Sequence, residues 1–127
     1  MSTYLWDLEH KSFDFSEVEE LIKSYVDRDV AGKAYEMFEF LYNNDESFFL
    51  ESYIQGKGFA SGFIVLSAAC LAYEVDNMQL SNVYSVCRAK ACSNAKEFYG
   101  MLVKCDGWAD VFKELKIPLL CDEMIQR

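Results

Sequence analysis

The chain has 127 residues, 52% of them apolar and 16% aromatic, with one proline and 21 acidic against 12 basic side chains, a formal charge of -9. That is enough material for one domain over residues 1–127 with its own core, and it is too hydrophobic for intrinsic disorder. The acidic balance excludes direct binding to nucleic-acid phosphates, which takes clustered Lys and Arg.

Residues 1–9 carry Asp7 and Glu9 where a signal or transit peptide carries bases, so a cytoplasmic protein is expected. Tyr4-Leu5-Trp6 and residues 11–15 are the only stretches with strand character, and they can pair as a short N-terminal β-ribbon. Ser16-Glu17-Val18-Glu19 reads as a capping box opening a helix over 16–28, with Val18, Leu21, Ile22, Tyr25 and Val26 on its apolar face. Asp29 is placed to cap a second helix over 30–42, whose Val30, Ala34, Met37, Phe38 and Leu41 recur at helical spacing, and Asn43-Asn44-Asp45 ends it. A third helix over 46–55 takes Phe49, Leu50, Tyr53 and Ile54 as its core stripe and stops at Gly56-Lys57-Gly58.

The run from Gly58 to Tyr73 is uncharged for 16 residues, bounded by Lys57 and Glu74. It falls short of the roughly 18–20 residues that span a bilayer, so it predicts a fourth helix over 61–75 buried on all sides, closed by Asp76-Asn77. A fifth helix over 81–94 follows, then a second box-like start at Asn94 and Glu97 for a sixth over 95–105 burying Phe98, Met101, Leu102 and Cys105. Trp108, Val111, Phe112 and Leu115 mark a helix over 108–116, and Pro118 suits the first turn of a last one over 118–125. The expected fold is an all-α bundle of six to eight short helices around the apolar fourth.

Catalytic chemistry finds little purchase. The five cysteines, Cys70, Cys87, Cys92, Cys105 and Cys121, are odd in number and read as small buried hydrophobes of a reducing compartment. Their spacing gives no Cys-x-x-Cys pair, His10 is the only histidine, and no Asp-x-Asp or EF-hand spacing occurs, so no metal or cofactor is expected. A cysteine nucleophile at Cys87 or Cys92, beside Arg88 and Lys90, is the weakest of three functional readings.

The charge is distributed unevenly. Residues 1–55 hold 13 acids and four bases, whereas 56–127 hold eight of each, so the whole net charge of 4 minus 13, or -9, belongs to the first three helices and their lead-in. Twelve of the 20 aromatic rings lie in the same 55 residues. Phe40 shares the polar stripe of its helix with Lys33, Glu36 and Asn43, and Phe48 shares one with Glu51, Ser52 and Gln55. A ring among acids suits a binding hot spot in which the acids meet Arg or Lys at the ring's edge; the competing reading packs both rings under neighbouring helices.

In size, charge and aromatic content over the whole chain, the protein resembles the immunity proteins that neutralise nuclease toxins of colicin and contact-dependent inhibition systems, and phage-encoded inhibitors that mimic nucleic acid. The likeness rests on no motif, so no residue's role is carried over from it. It implies a non-enzymatic inhibitor whose acids occupy the basic groove of a nuclease toxin and whose aromatic anchor slows dissociation; a monomer or weak dimer is expected. The expected partner-binding residues are Glu36, Glu39, Phe40, Asp45, Glu46, Phe48 and Glu51, with Asp14, Glu17 and Glu20 as a second patch. The alternative from another class is a helical adaptor or regulatory subunit that binds its partner through an apolar surface.

Overall fold

The computed structural model describes residues 13–71, 73–105 and 107–113. Among these it is an all-α bundle of seven helical segments with no strand. The residues of the expected ribbon before Phe13, His10, the expected helix over 118–125 and Cys121 lie outside the described residues.

The chain enters the bundle at α1 (Phe15–Lys23), so Phe15 is helical and not part of a ribbon. Asp14, not Ser16, caps it, accepting from the Glu17 N–H at 3.2 Å. A carboxylate at the positive end of the helix is a stronger acceptor than the serine hydroxyl two residues later, and Ser16 is left inside the first turn. The same two-residue correction applies to α2 (Arg28–Asn44), where Asp27 rather than Asp29 accepts from the N–H groups of Asp29 and Val30 at 2.9 and 3.1 Å. Asp45 ends α2 and caps α3, which runs only over Glu46–Glu51. The helix expected to reach residue 55 stops early because the Ser52 hydroxyl accepts the Ile54 N–H at 3.0 Å, a bond that competes with continuing the helical ladder.

Gly56-Lys57-Gly58, expected as a terminator, instead opens α4 (Gly56–Leu71). Gly58 serves close approach, since a Cβ there would stand 2.9 Å from Ile54 Cγ2 and 3.3 Å from the Asn94 amide, whereas Gly56 faces only the flexible Glu17 carboxylate. Every residue of α4 from Phe59 to Ala68 is buried, as its continuous apolar run predicts. No helix among the described residues is long and apolar enough to cross a membrane.

Asp76, expected to close α4, caps α5 (Asn77–Asn82), accepting from the Met78 and Gln79 N–H groups. The expected break at Asn94 does not occur, since α6 runs unbroken over Arg88–Leu102. Asn94 is buried in its middle and its amide donates to the Gly58 carbonyl at 3.2 Å, so the side chain is used across the α4–α6 contact and not as a cap. α7 covers Ala109–Lys113.

The core is built where α4 meets α6, α2 and α1. Phe63 and Phe98 stack across α4 and α6 at 4.2 Å between centroids, with Phe59 and Phe49 beside them. Gly62 allows this approach, because a Cβ there would fall 2.5 Å from Phe98 Cε2. Two buried hydroxyls tie the helices together. Ser67 donates to the Val30 carbonyl of α2 and Tyr84 to the Leu21 carbonyl of α1, both at 2.7 Å. Burial pushes the Tyr84 phenol up to about 12. Val26 and Tyr53, expected on core stripes, are instead exposed because α1 and α3 end before reaching them, and Leu50, within α3, lies on its exposed side.

Candidate protein-binding face

The expected site residues fall into two groups. On α2, Glu36, Glu39 and Phe40 line one open depression of about 470 Å³ with Lys33, Asn43 and Trp108. Spacings of three and four put these side chains on one helix face. Phe40 is half-buried, its ring edge-on to Trp108 at 6.0 Å, while Glu36 and Glu39 are exposed. Lys33 approaches both the Trp108 ring, at 5.9 Å, and Glu36 Oε1, at 3.5 Å. Glu39 also accepts from the Tyr35 hydroxyl, and the Tyr35 phenol is raised, by its burial first and then by Glu19 and Glu39.

The second group surrounds the turn between α3 and α4. Phe48 and Glu51 line a depression of about 410 Å³ with Tyr53, Ile54 and Glu97. Asp14 and Glu17 line an adjoining one of about 580 Å³ with Phe13, Phe49, Tyr53, Ile54 and Lys57. Phe48 does not project: its ring is edge-on to Phe49, Phe59 and Phe98, which makes it the floor of the depression. Tyr53 does project. At 101% relative exposure it stands clear of the surface, and it borders both depressions and a third formed with Tyr84, Val86 and Lys90.

Several of the expected acids already have local duties. Asp14 and Asp45 are helix caps, and Glu17 lies against Gly56 at the start of α4, where its charge meets the positive end of the helix. Glu46 accepts from the Tyr42 hydroxyl at 3.0 Å, a bond that holds the Tyr42 phenol above its usual value. Glu20 is exposed on α1, outside these depressions. Glu36, Glu39 and Glu51 have no such backbone role, so they carry the negative potential at least structural cost.

Sequence reasoning missed Tyr53, Trp108 and Glu97. Tyr53 was absorbed into a helical stripe that ends two residues before it, and Glu97 and Trp108 come from segments remote in sequence. Of the two cysteines weighed as nucleophiles, Cys92 is buried within α6 and Cys87 is exposed at its start. No group of three His, Cys, Asp or Glu side chains able to hold a metal ion occurs among the described residues. Comparison with known proteins adds no relative: no family model, no curated protein and no solved structure matches the chain.

Proposed function

We propose that the chain is a protein-binding inhibitor of the immunity type, which holds a basic nuclease toxin through its acidic, aromatic-bearing face. The observation that carries this reading is Tyr53, a fully exposed ring bordered by the depressions that contain Asp14, Glu17, Glu51 and Glu97. Exposing a whole tyrosine ring forgoes the burial that most rings among the described residues obtain, and a partner that covers it recovers that burial. The acids around it supply the field that draws a basic surface in, and the ring supplies short-range contact that slows its departure. Arg is the best-matched partner side chain, since its guanidinium can lie on the ring while its N–H groups reach the carboxylates. The Phe40–Trp108 depression on α2, with Glu36 and Glu39, has the same negative, ring-containing character.

Affinity capture from the native cell tests the proposal. The wild-type chain and a Glu36→Lys, Glu39→Lys, Glu51→Lys variant are used side by side at low salt, and circular dichroism verifies that the variant keeps its fold. The expected result is one basic protein retained by the wild type and released by salt, whose nuclease activity is suppressed on rebinding and which the variant does not retain. A partner retained equally by both chains would remove the acidic face from the mechanism.

A further inference from the structure

A second unpartnered surface lies at the opposite end of the α1–α2 hairpin. The turn between α1 and α2 and the segment leading into α5 are held together there by two backbone N–H groups. The Asp76 N–H donates to the Tyr25 hydroxyl at 3.0 Å, and the Val26 N–H donates to Gln79 Oε1 at 3.3 Å. Both segments then leave apolar side chains in solvent: Met78 is 70% exposed, Val26 63% and Tyr73 43%. These are three of the five large apolar side chains exposed among the described residues, and they come from two segments about fifty positions apart in sequence.

Acids ring this patch. Asp27, Asp29, Glu74 and Asp76 belong to the same two segments, against Arg28 as their only base. Tyr73 donates to Asp29 Oδ2 at 3.4 Å, and the Asp29 charge is the main reason its phenol is raised. Asp27 and Asp76 both cap their helices through Oδ1, and no described donor engages Oδ2 of either.

We infer that the Val26–Met78–Tyr73 patch is a second protein-docking surface, whose occupant is a basic amphipathic segment that inserts an apolar side chain between Val26 and Met78 and sets Lys or Arg against the surrounding acids. The sign of the rim selects the occupant. Nucleic acid and anionic lipid are repelled, and a second copy of a chain with net charge -9 would set this acidic rim against another. This surface is distinct from the Tyr53 face. Asp14, at the start of α1, borders the Tyr53 turn and Val26 follows the end of α1, so the nine residues of that helix hold the two about 13 Å apart along its axis.

The test uses the full chain and two synthetic probes of equal charge, an amphipathic peptide of leucine and arginine and the same peptide with serine replacing leucine. Amide chemical shifts locate binding, and affinities are measured for the wild type, Met78→Asp, Val26→Asp and Tyr53→Ala. The leucine–arginine peptide is expected to saturate and to move the amides of Val26, Asp27 and Met78. It should lose about tenfold or more in affinity with Met78→Asp or Val26→Asp, as expected when one apolar side chain is no longer buried, while Tyr53→Ala should leave the shifts of Val26, Asp27 and Met78 in place. Both substitutions are at exposed positions and add negative charge, so neither unfolding nor weakened attraction accounts for the loss. Equal affinity for the two peptides, or shifts spread over the whole acidic surface, would overturn the inference. So would shifts confined to the Tyr53 turn, an outcome that leaves the proposed inhibitor face standing.

Discussion

Gly62→Ala and Gly100→Ala are the same chemical change, one methyl added in the interior of a helix, and the structure gives them opposite outcomes. At Gly62 the new Cβ meets Phe98 Cε2 at 2.5 Å and Asn94 Cβ at 2.9 Å, whereas at Gly100 nothing lies within 4 Å. Phe98 has no room to retreat, because it stacks on Phe63 at 4.2 Å and on Phe59 at 5.7 Å, and Phe48 stands edge-on at 6.1 Å. Replacing a helical glycine by alanine gains about 0.8–1 kcal/mol of propensity at either site, so the difference between the variants isolates the overpacking cost, about 1–3 kcal/mol. Gly100→Ala should therefore stabilise the chain by up to about 1 kcal/mol, and Gly62→Ala should fall about 1–3 kcal/mol below it. Urea unfolding followed by circular dichroism, with unchanged m-value, reads this difference directly. In thermal unfolding it corresponds to a separation of roughly 4–12 °C for a domain of this size. Equal stability of the two variants would refute the close α4–α6 crossing on which the core is built.

Three further outcomes follow from particular contacts. Asp14→Ala should cost about 1 kcal/mol by removing the α1 cap, while Ser16→Ala should be neutral or slightly stabilising; the reverse order would restore Ser16 as the cap. Tyr84 has a folded pKa of about 12 against about 10 when unfolded, so its contribution is complete below pH 10 and is lost as pH rises from 10 to 12. Tyr84→Phe should start about 1 kcal/mol less stable, for want of the bond to the Leu21 carbonyl, yet decline less steeply over that window; an unchanged slope in a pH series of urea midpoints would contradict the assignment. Cys92 within the core should resist a thiol reagent under native conditions while Cys87 reacts, and mass spectrometry of the labelled chain checks the order.

What the sequence made legible and what it hid separate along physical lines. The all-helical class and the buried Phe59–Ala68 run follow from long apolar patterns, which summed propensity and burial reinforce over many residues. The helix starts at Asp14 and Asp27 were hidden because Ser16 and Asp29 are also good caps, and the choice rests on competition between two acceptors two residues apart. Gly56-Lys57-Gly58 and Asn94 carry the usual marks of a helix end, yet both are spent on the contact of α4 with its neighbours, a requirement of tertiary packing that no local pattern records. The site divides in the same way. Lys33, Glu36, Phe40 and Asn43 share a depression, as their helical spacing indicated, Glu39 joins them, and Glu51 lies with Phe48. Tyr53 and Val26 were hidden because α3 and α1 end before them, at a hydroxyl and at a turn, and Met78 because no local pattern marks its side of α5 as unpacked.

The most direct test of the inhibitor reading is the association rate with the captured partner over a series of ionic strengths, measured for the wild type, the triple charge-reversal variant and Tyr53→Ala. The wild-type rate should fall steeply as salt rises, the charge variant should associate slowly with a flattened dependence, and Tyr53→Ala should keep the wild-type slope while dissociating about tenfold faster or more. A wild-type rate indifferent to salt, or a Tyr53→Ala complex as long-lived as the wild type, would contradict the claim that this acidic, ring-bearing face holds the partner.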